Sequence, residues 1–105
     1  MDTKTVQANR QDIVVLDVRE DDEWTAGRIE GAVHIPLGEL ERRVNELDRN
    51  RPIVTVCRSG GRAGKAAELL SGAGLNAEVM DGGMTQWAKE KLPFTTPDGR
   101  PGHLA

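Results

Sequence analysis

Two runs of apolar residues, Ile13-Val14-Val15-Leu16 and Ile53-Val54-Thr55-Val56, dominate the hydrophobic pattern of the chain. Each is continuous rather than alternating and rich in β-branched residues. That is how a strand reads when both of its faces are covered, as in a parallel sheet. Ala32 to Ile35 and Ala77 to Met80 are shorter candidates of the same kind. Between these runs the period changes. Leu37, Leu40, Val44 and Leu47 recur at spacings of three and four, as do Ala66, Leu69, Leu70 and Ala73, and each set predicts one apolar helical stripe. Strands alternating with helices predict an α/β layer structure around a parallel sheet.

Local signals set the boundaries. Gly74 can end the second helix in the left-handed conformation, with Leu75 packing back onto Leu70 as in a Schellman cap, so a new strand starts at about Asn76. Asp21 or Asp22 is placed to cap a short helix holding Trp24, and Gly82-Gly83 to turn the last strand into a helix holding Trp87. Both tryptophans are expected to be core anchors. Pro93 to Ala105, with three prolines and two glycines, reads as a tail, either a flexible end or a strap.

A length of 105 residues suits one domain, with a core at about residues 5–92 and residues 93–105 as the tail. With 37% hydrophobic residues, no Tyr, one Phe and two Trp, the interior must be Val, Leu, Ile and Ala around a few large side chains. Fourteen basic against seventeen acidic residues give a net charge of -3, which argues against a broad nucleic-acid or anionic-membrane surface. The opening Met-Asp-Thr-Lys-Thr lacks the apolar stretch of a secretion signal, and no run approaches the roughly 18 apolar residues of a membrane span. A cytoplasmic protein is expected. One cysteine and two histidines without paired-ligand spacing predict no metal site.

The candidate chemistry lies in Cys57-Arg58-Ser59-Gly60-Gly61-Arg62, which joins the second strong strand to an amphipathic segment beginning near Ala63. A cysteine at the end of a buried strand is ordinarily a small apolar residue. Here two arginines and a Gly-Gly pair follow it directly, and packing gives them no purpose. Main-chain N–H groups of Arg58 to Arg62 turned towards the sulfur would form a nest for one negative charge, with Arg62 closing the cradle. Neighbouring cations and a helix N-terminus are the known means of favouring a thiolate. In a parallel sheet Asp17 and Cys57 both fall at carboxyl ends of strands, the edge where such sheets bind ligands.

At these positions the chain resembles a single-domain rhodanese, a sulfurtransferase whose six-residue active-site loop begins with a cysteine that carries a persulfide. The resemblance extends to Val15-Leu16-Asp17-Val18-Arg19-Glu20, to Asp22-Glu23-Trp24, to the stretch from Gly27 to Pro36, and to Gly82-Gly83 with Trp87. It implies a three-layer α/β fold with a central, mostly parallel sheet of about five strands flanked by helices. It also implies Cys57 as the catalytic nucleophile and Arg58, Ser59, Gly60, Gly61 and Arg62 as substrate-binding residues. A small sulfur-donor anion such as thiosulfate or a persulfide, and a thiol or cyanide acceptor, are the implied reactants. A sulfur-relay protein is a further candidate partner, and no organic cofactor or metal is implied. Two positions depart from the family pattern: Arg28 stands where many members have His, expected to be a surface change, and Ala63 where many have Ser or Thr, removing a hydroxyl that could bond the loop.

The remaining marked residues receive supporting or bland readings. Asp17 and Arg19 are expected to pair and position the strand end near the loop, with direct contact to the substrate as the lesser alternative. His34, in an apolar run before a proline, is expected to be a satisfied, at least half-buried histidine, and His103 to be solvated. The acidic run Glu20 to Glu23 is expected to be a solvated helix start with favourable dipole charge. Two alternatives to sulfur transfer stand beside it. Related dual-specificity phosphatases and arsenate reductases use a Cys-to-Arg loop one residue longer, suited to a larger oxyanion. Rhodanese-like domains also serve as non-catalytic binding or regulatory modules, usually without the cysteine.

Overall fold

The computed structural model describes residues 1–105. Nine named elements follow in order: α1 (Thr3–Asn9), β1 (Val14–Asp17), α2 (Asp21–Ala26), β2 (Val33–His34), α3 (Leu37–Arg43), β3 (Ile53–Val56), α4 (Gly61–Gly72), β4 (Ala77–Val79) and α5 (Gly83–Lys89). The four strands form one sheet in the order β2-β1-β3-β4, with every pairing parallel. All four residues of β1 and of β3 are buried, because their alternating side chains enter two different cores. Val14, Leu16 and Ile53 meet Leu40 of α3 and Ala66 and Leu70 of α4 on one face. Val15, Val54 and Val56 meet Val6 of α1 and Met84 and Trp87 of α5 on the other. The continuous apolar runs are therefore the signature of a three-layer structure.

The expected fifth strand is absent, and the sheet is parallel throughout. Residues ahead of β1 fold as α1, capped by Asp2, whose carboxylate accepts the Thr5 amide at 2.7 Å. Residues after β4 turn at Gly82 into α5. Thr95 makes only isolated antiparallel bridges, to Arg28 and to Pro101. Helix α1 escapes the sequence pattern because it buries one apolar side chain, Val6, and one polar one, Thr3.

Other boundaries differ for local reasons. The stripe from Leu37 to Leu47 is an α-helix to Arg43 and then a 3-10 turn over Val44–Glu46. Helix α2 begins at Asp21, so Glu20 takes the N-cap position that Asp21 or Asp22 was expected to fill. Helix α4 begins at Gly61, which puts Arg62 in its first turn. Its end matches expectation: the Leu75 amide donates to the Leu70 carbonyl and the Gly74 amide to that of Ser71, the two bonds of a Schellman cap.

Trp87 is fully buried and its indole N–H donates to the Pro93 carbonyl at 3.0 Å. Trp24 is not a core anchor. It is half-buried on α2, an element with no buried residue, and lies flat on His34 at 4.6 Å. The tail is a strap rather than a free end. The Thr95 and Arg28 main chains exchange two hydrogen bonds, the His103 amide donates to Ala26, and Phe94 and Leu104 pack on the α1/α5 core. No helix is long and apolar enough to cross a membrane.

Gly83 decides how closely α5 approaches the end of β3. It has φ +59°, and a Cβ there would sit 2.5 Å from the Arg58 carbonyl oxygen and 2.6 Å from that of Cys57. Both neighbours are backbone and neither can rotate away. Gly83→Ala is expected to lower stability by about 2–4 kcal/mol, through backbone strain and overpacking, and a thermal unfolding midpoint measured beside wild type checks it.

Candidate active site

Strands β1 and β3 end together, since Asp17 pairs with Val56 in the sheet register. Cys57 follows at once and turns its side chain into the α3/α4 core, where it is 1% exposed. The chain can reverse there because Gly60 takes φ +121°, which L side chains rarely adopt, and serves as the N-cap of α4. The sulfur then accepts two main-chain hydrogen bonds, from Gly60 at 3.0 Å and from Ala63 at 3.3 Å. On the other side of the turn, the Met84 and Thr85 amides of α5 donate to the Cys57 and Arg58 carbonyls at 2.9 Å each. Otherwise unpaired donors at the start of α5 thus fix the first two residues of the loop.

The sequence-predicted residues divide into three groups. Cys57, Gly60 and the start of α4 form the cradle itself. Arg58, Ser59 and Gly61 are exposed around it. Arg62 is partly buried, and its two terminal nitrogens bond Glu23 of α2 at 2.6 and 2.9 Å, a two-pronged ion pair. The amide nest is also shifted along the chain: of the five amides from Arg58 to Arg62 only Gly60's bonds the sulfur, and the second donor is Ala63, one residue further on. Ala63 contributes through its main chain alone, because its methyl group is fully buried and its carbonyl accepts the Thr55 hydroxyl at 2.8 Å.

Glu23 is the functional residue that sequence reasoning missed. It belongs to the acidic run read as a solvated helix start, yet only 13% of its side chain is exposed. One of its oxygens also accepts the Glu20 amide at 3.0 Å. The hydrogen bonds from Arg62 hold its carboxyl down from the ordinary 4.5 to about 2, with the Glu20 amide acting in the same direction against partial burial. Glu23 in turn raises Arg62 above its ordinary value, and the nearby Cys57 adds to the effect. Glu20 and Glu23 have the spacing of a capping box, which was a legible hint that Glu23 folds back. Its partner, 39 residues away, was not legible.

Asp17 and Arg19 form a second ion pair, each 1% exposed. Arg19 bonds both carboxylate oxygens at 2.8 to 3.0 Å and extends to the Gly27 carbonyl at 2.7 Å. The pair ties the end of β1 to the end of α2 and makes no hydrogen bond to the cysteine. His34 is satisfied as expected: a ring nitrogen lies 2.8 Å from the Arg19 carbonyl oxygen. Arg28 is more than a surface change, since its guanidinium lies 4.8 Å from the centre of the Trp24 ring while its main chain pairs with the strap. His103 is exposed. The largest surface cleft, about 300 Å³ between Trp24–Ala32 and the strap, includes no residue of the loop, and neither do the two smaller ones.

This arrangement offers one sulfur atom and two N–H donors, with the exposed Arg58 beside them and Arg62 already paired with Glu23. It can stabilise negative charge on sulfur.

A family model described as a Rhodanese-like domain matches residues 2–90. A putative sulfurtransferase, YtwF, from Bacillus subtilis is 35% identical over 83 residues, covering 79% of this chain and 81% of that protein. A sulfurtransferase from Allochromatium vinosum is 31% identical over 93 residues, covering 88% and 87%. Among solved structures, a rhodanese-related protein from Thermoplasma volcanium superposes with a TM-score of 0.87 at 33% identity, covering 90% of this chain and 95% of that one.

The Glu23–Arg62 pair has a defined pH dependence. Because the folded carboxyl titrates near 2 rather than at 4.5, its stabilisation is fully present above about pH 4.5 and is lost as pH falls towards 2. Glu23→Gln is expected to unfold at a lower temperature than wild type at neutral pH. Melting curves taken from pH 7 down to pH 2 should show the two proteins converging below about pH 4.5.

Proposed function

Because the chain belongs to the rhodanese-like domain family, we propose that it is a sulfurtransferase in which Cys57 carries a sulfane sulfur from a small anionic donor to a thiophilic acceptor. The observation that carries this reading is the pair of amides, Gly60 and Ala63, aimed at a cysteine sulfur from the first turn of a twelve-residue helix. Such a turn holds one negative charge on one sulfur atom.

The reaction is double displacement through a covalent intermediate. With thiosulfate, the Cys57 thiolate attacks the outer, sulfane sulfur, the donor's S–S bond breaks, and sulfite leaves with the electron pair. The product is a Cys57 persulfide, Cys–S–S⁻. With a persulfide donor the same attack expels a thiolate. In the second half-reaction cyanide attacks the outer sulfur, thiocyanate departs, and the Cys57 thiolate is restored. A thiolate acceptor instead takes the outer sulfur from the protonated persulfide and becomes a persulfide itself, as a sulfur-relay protein would require.

In this reading the Gly60 and Ala63 amides steady the charge that each step leaves on sulfur. Arg58, with Ser59 and Gly61 beside it, receives the anionic donor at the exposed rim. Arg62 fixes the start of α4. Asp17 and Arg19 are supporting residues that hold the end of β1 and the end of α2 in place. Residues 1–105 act as one domain, with residues 93–105 as its strap.

Intact-mass spectrometry tests the reading directly. Wild type incubated with thiosulfate is expected to gain one sulfur and to lose it on adding cyanide, with thiocyanate formed in the same tube. Cys57→Ser, nearly isosteric, is expected to fold and gain nothing. Sulfur transfer by Cys57→Ser would overturn the mechanism. A wild type that accepts sulfur from neither thiosulfate nor a persulfide would support a binding module in place of an enzyme.

A further inference from the structure

The charges around the sulfur do not add up to a basic site. Of the two loop arginines, Arg62 is compensated by Glu23 through two hydrogen bonds. Arg58, at the loop's exposed edge, and Lys65, one turn along α4 from Arg62, are exposed cations. The start of α2, tied to α4 by the same ion pair, presents Glu20, Asp21 and Asp22, all exposed. The exposed charges of the loop and of the two helix starts are therefore of both signs: Asp21 lies 3.9 Å from a His34 ring nitrogen, Glu20 caps α2, and Arg62, paired with Glu23, adds no net charge. Cys57 itself must be an anion to attack.

We infer that Glu23 is a specificity-determining residue for the sulfur donor. By cancelling Arg62 it removes the charge that would draw a dianion to the thiolate, and so favours a persulfide that reacts as the uncharged R–S–SH group over thiosulfate. The inference rests on the sulfurtransferase reading and narrows its donor. Glu23 acts through Arg62 rather than by touching the reactant, so it is a positioning residue. Two features support a charge-setting role in addition to a structural one. The pair lies close enough to the sulfur for Cys57 to strengthen the protonated state of Arg62. Its carboxyl, held at about 2, stays ionised at neutral pH and keeps the compensation in place.

The chemistry balances for either donor. Thiosulfate and the thiolate together bear three negative charges, which end as one on the persulfide and two on sulfite. A neutral-sulfur persulfide, R–S–SH, passes its outer S–H to Cys57 while R–S⁻ leaves, so a single negative charge is present throughout. The first route brings a dianion against an anion and gains most from any nearby positive charge.

The test measures kcat/KM for thiosulfate and for cysteine persulfide, at low and high salt, in wild type, Glu23→Gln, Arg62→Gln and the double variant. Releasing one positive charge in the first turn of the helix that bonds the reacting sulfur should raise kcat/KM for thiosulfate by about three- to tenfold in Glu23→Gln, with a steeper fall in salt. Cysteine persulfide should change by less than about twofold, since the R–S–SH group that reacts carries no charge. Arg62→Gln, which leaves Glu23 uncompensated, should lower the thiosulfate value. The double variant, again neutral, should return it close to wild type, a rescue that a merely structural contact would not produce. If Glu23→Gln is too unstable to assay, the opposite shift in Arg62→Gln and its reversal in the double variant carry the test. Intact mass on the same samples separates the two layers of the argument. Wild-type Cys57 that takes sulfur from neither donor overturns the sulfurtransferase reading and this inference with it. Wild type that loads while the donor ratio stays the same in the variants overturns the inference alone.

Discussion

The sharp reversal between β3 and α4 is the constraint on which the site depends, and it is fixed from two sides. Amides of Gly60 and Ala63 converge on the Cys57 sulfur, while the Cys57 and Arg58 carbonyls are taken by the first amides of α5. A buried turn leaves main-chain polar groups that must be paired, and here each pairing also aims something useful. The donors that satisfy the sulfur are the ones that can steady its charge. The helix that covers the carbonyls comes close enough only because Gly83 has no side chain. Removing a methyl group from one position thus brings α5 up to the cysteine from the far side of the sheet.

Helix α2 is attached by different physics. It buries no side chain, so the hydrophobic effect holds it weakly, and polar links take over. Arg19 reaches from the end of β1 to Gly27 at the helix's end, Glu23 grips Arg62, and Trp24 lies on His34, which itself contacts the Arg19 carbonyl. The fully buried Asp17–Arg19 pair is the anchor of this set. Burial of both charges is costly, and only the dense bonding of the guanidinium to carboxylate and carbonyl offsets it. Through this route the end of β1 governs where Glu23 sits, and Glu23 governs the charge that Arg62 presents near the sulfur. The strap, paired with Arg28 and bonded to Ala26, closes the outer side of the same segment.

Much of this was legible along the chain, and for a consistent reason. Continuous apolar runs at residues 13–16 and 53–56 could only be strands covered on both faces, and the structure buries every residue of β1 and β3. Gly74 and Leu75 announced a helix stop whose two hydrogen bonds are present. The less legible elements are those held by polar or distant contacts. Helix α1 has one buried apolar residue, the tail becomes a strap through main-chain bonds to residues some 70 positions earlier, and Trp24 leaves the core because its helix packs on charge and aromatic stacking.

The sequence by itself determined the α/β layering, the strand-to-helix turn at Cys57 and the presence of a cysteine among cations, because each is written in neighbouring residues and in short-range periodicity. Only the tertiary structure decided which amides reach the sulfur, that Ala63 supplies one of them, and that Arg62 is already spoken for by Glu23. The physical reason is range. Backbone propensity and hydrophobic spacing act over a few residues, whereas the electrostatics of a site sum over whatever the fold brings together. Glu23 and Arg62 are 39 positions apart in the chain and 2.6 Å apart in space.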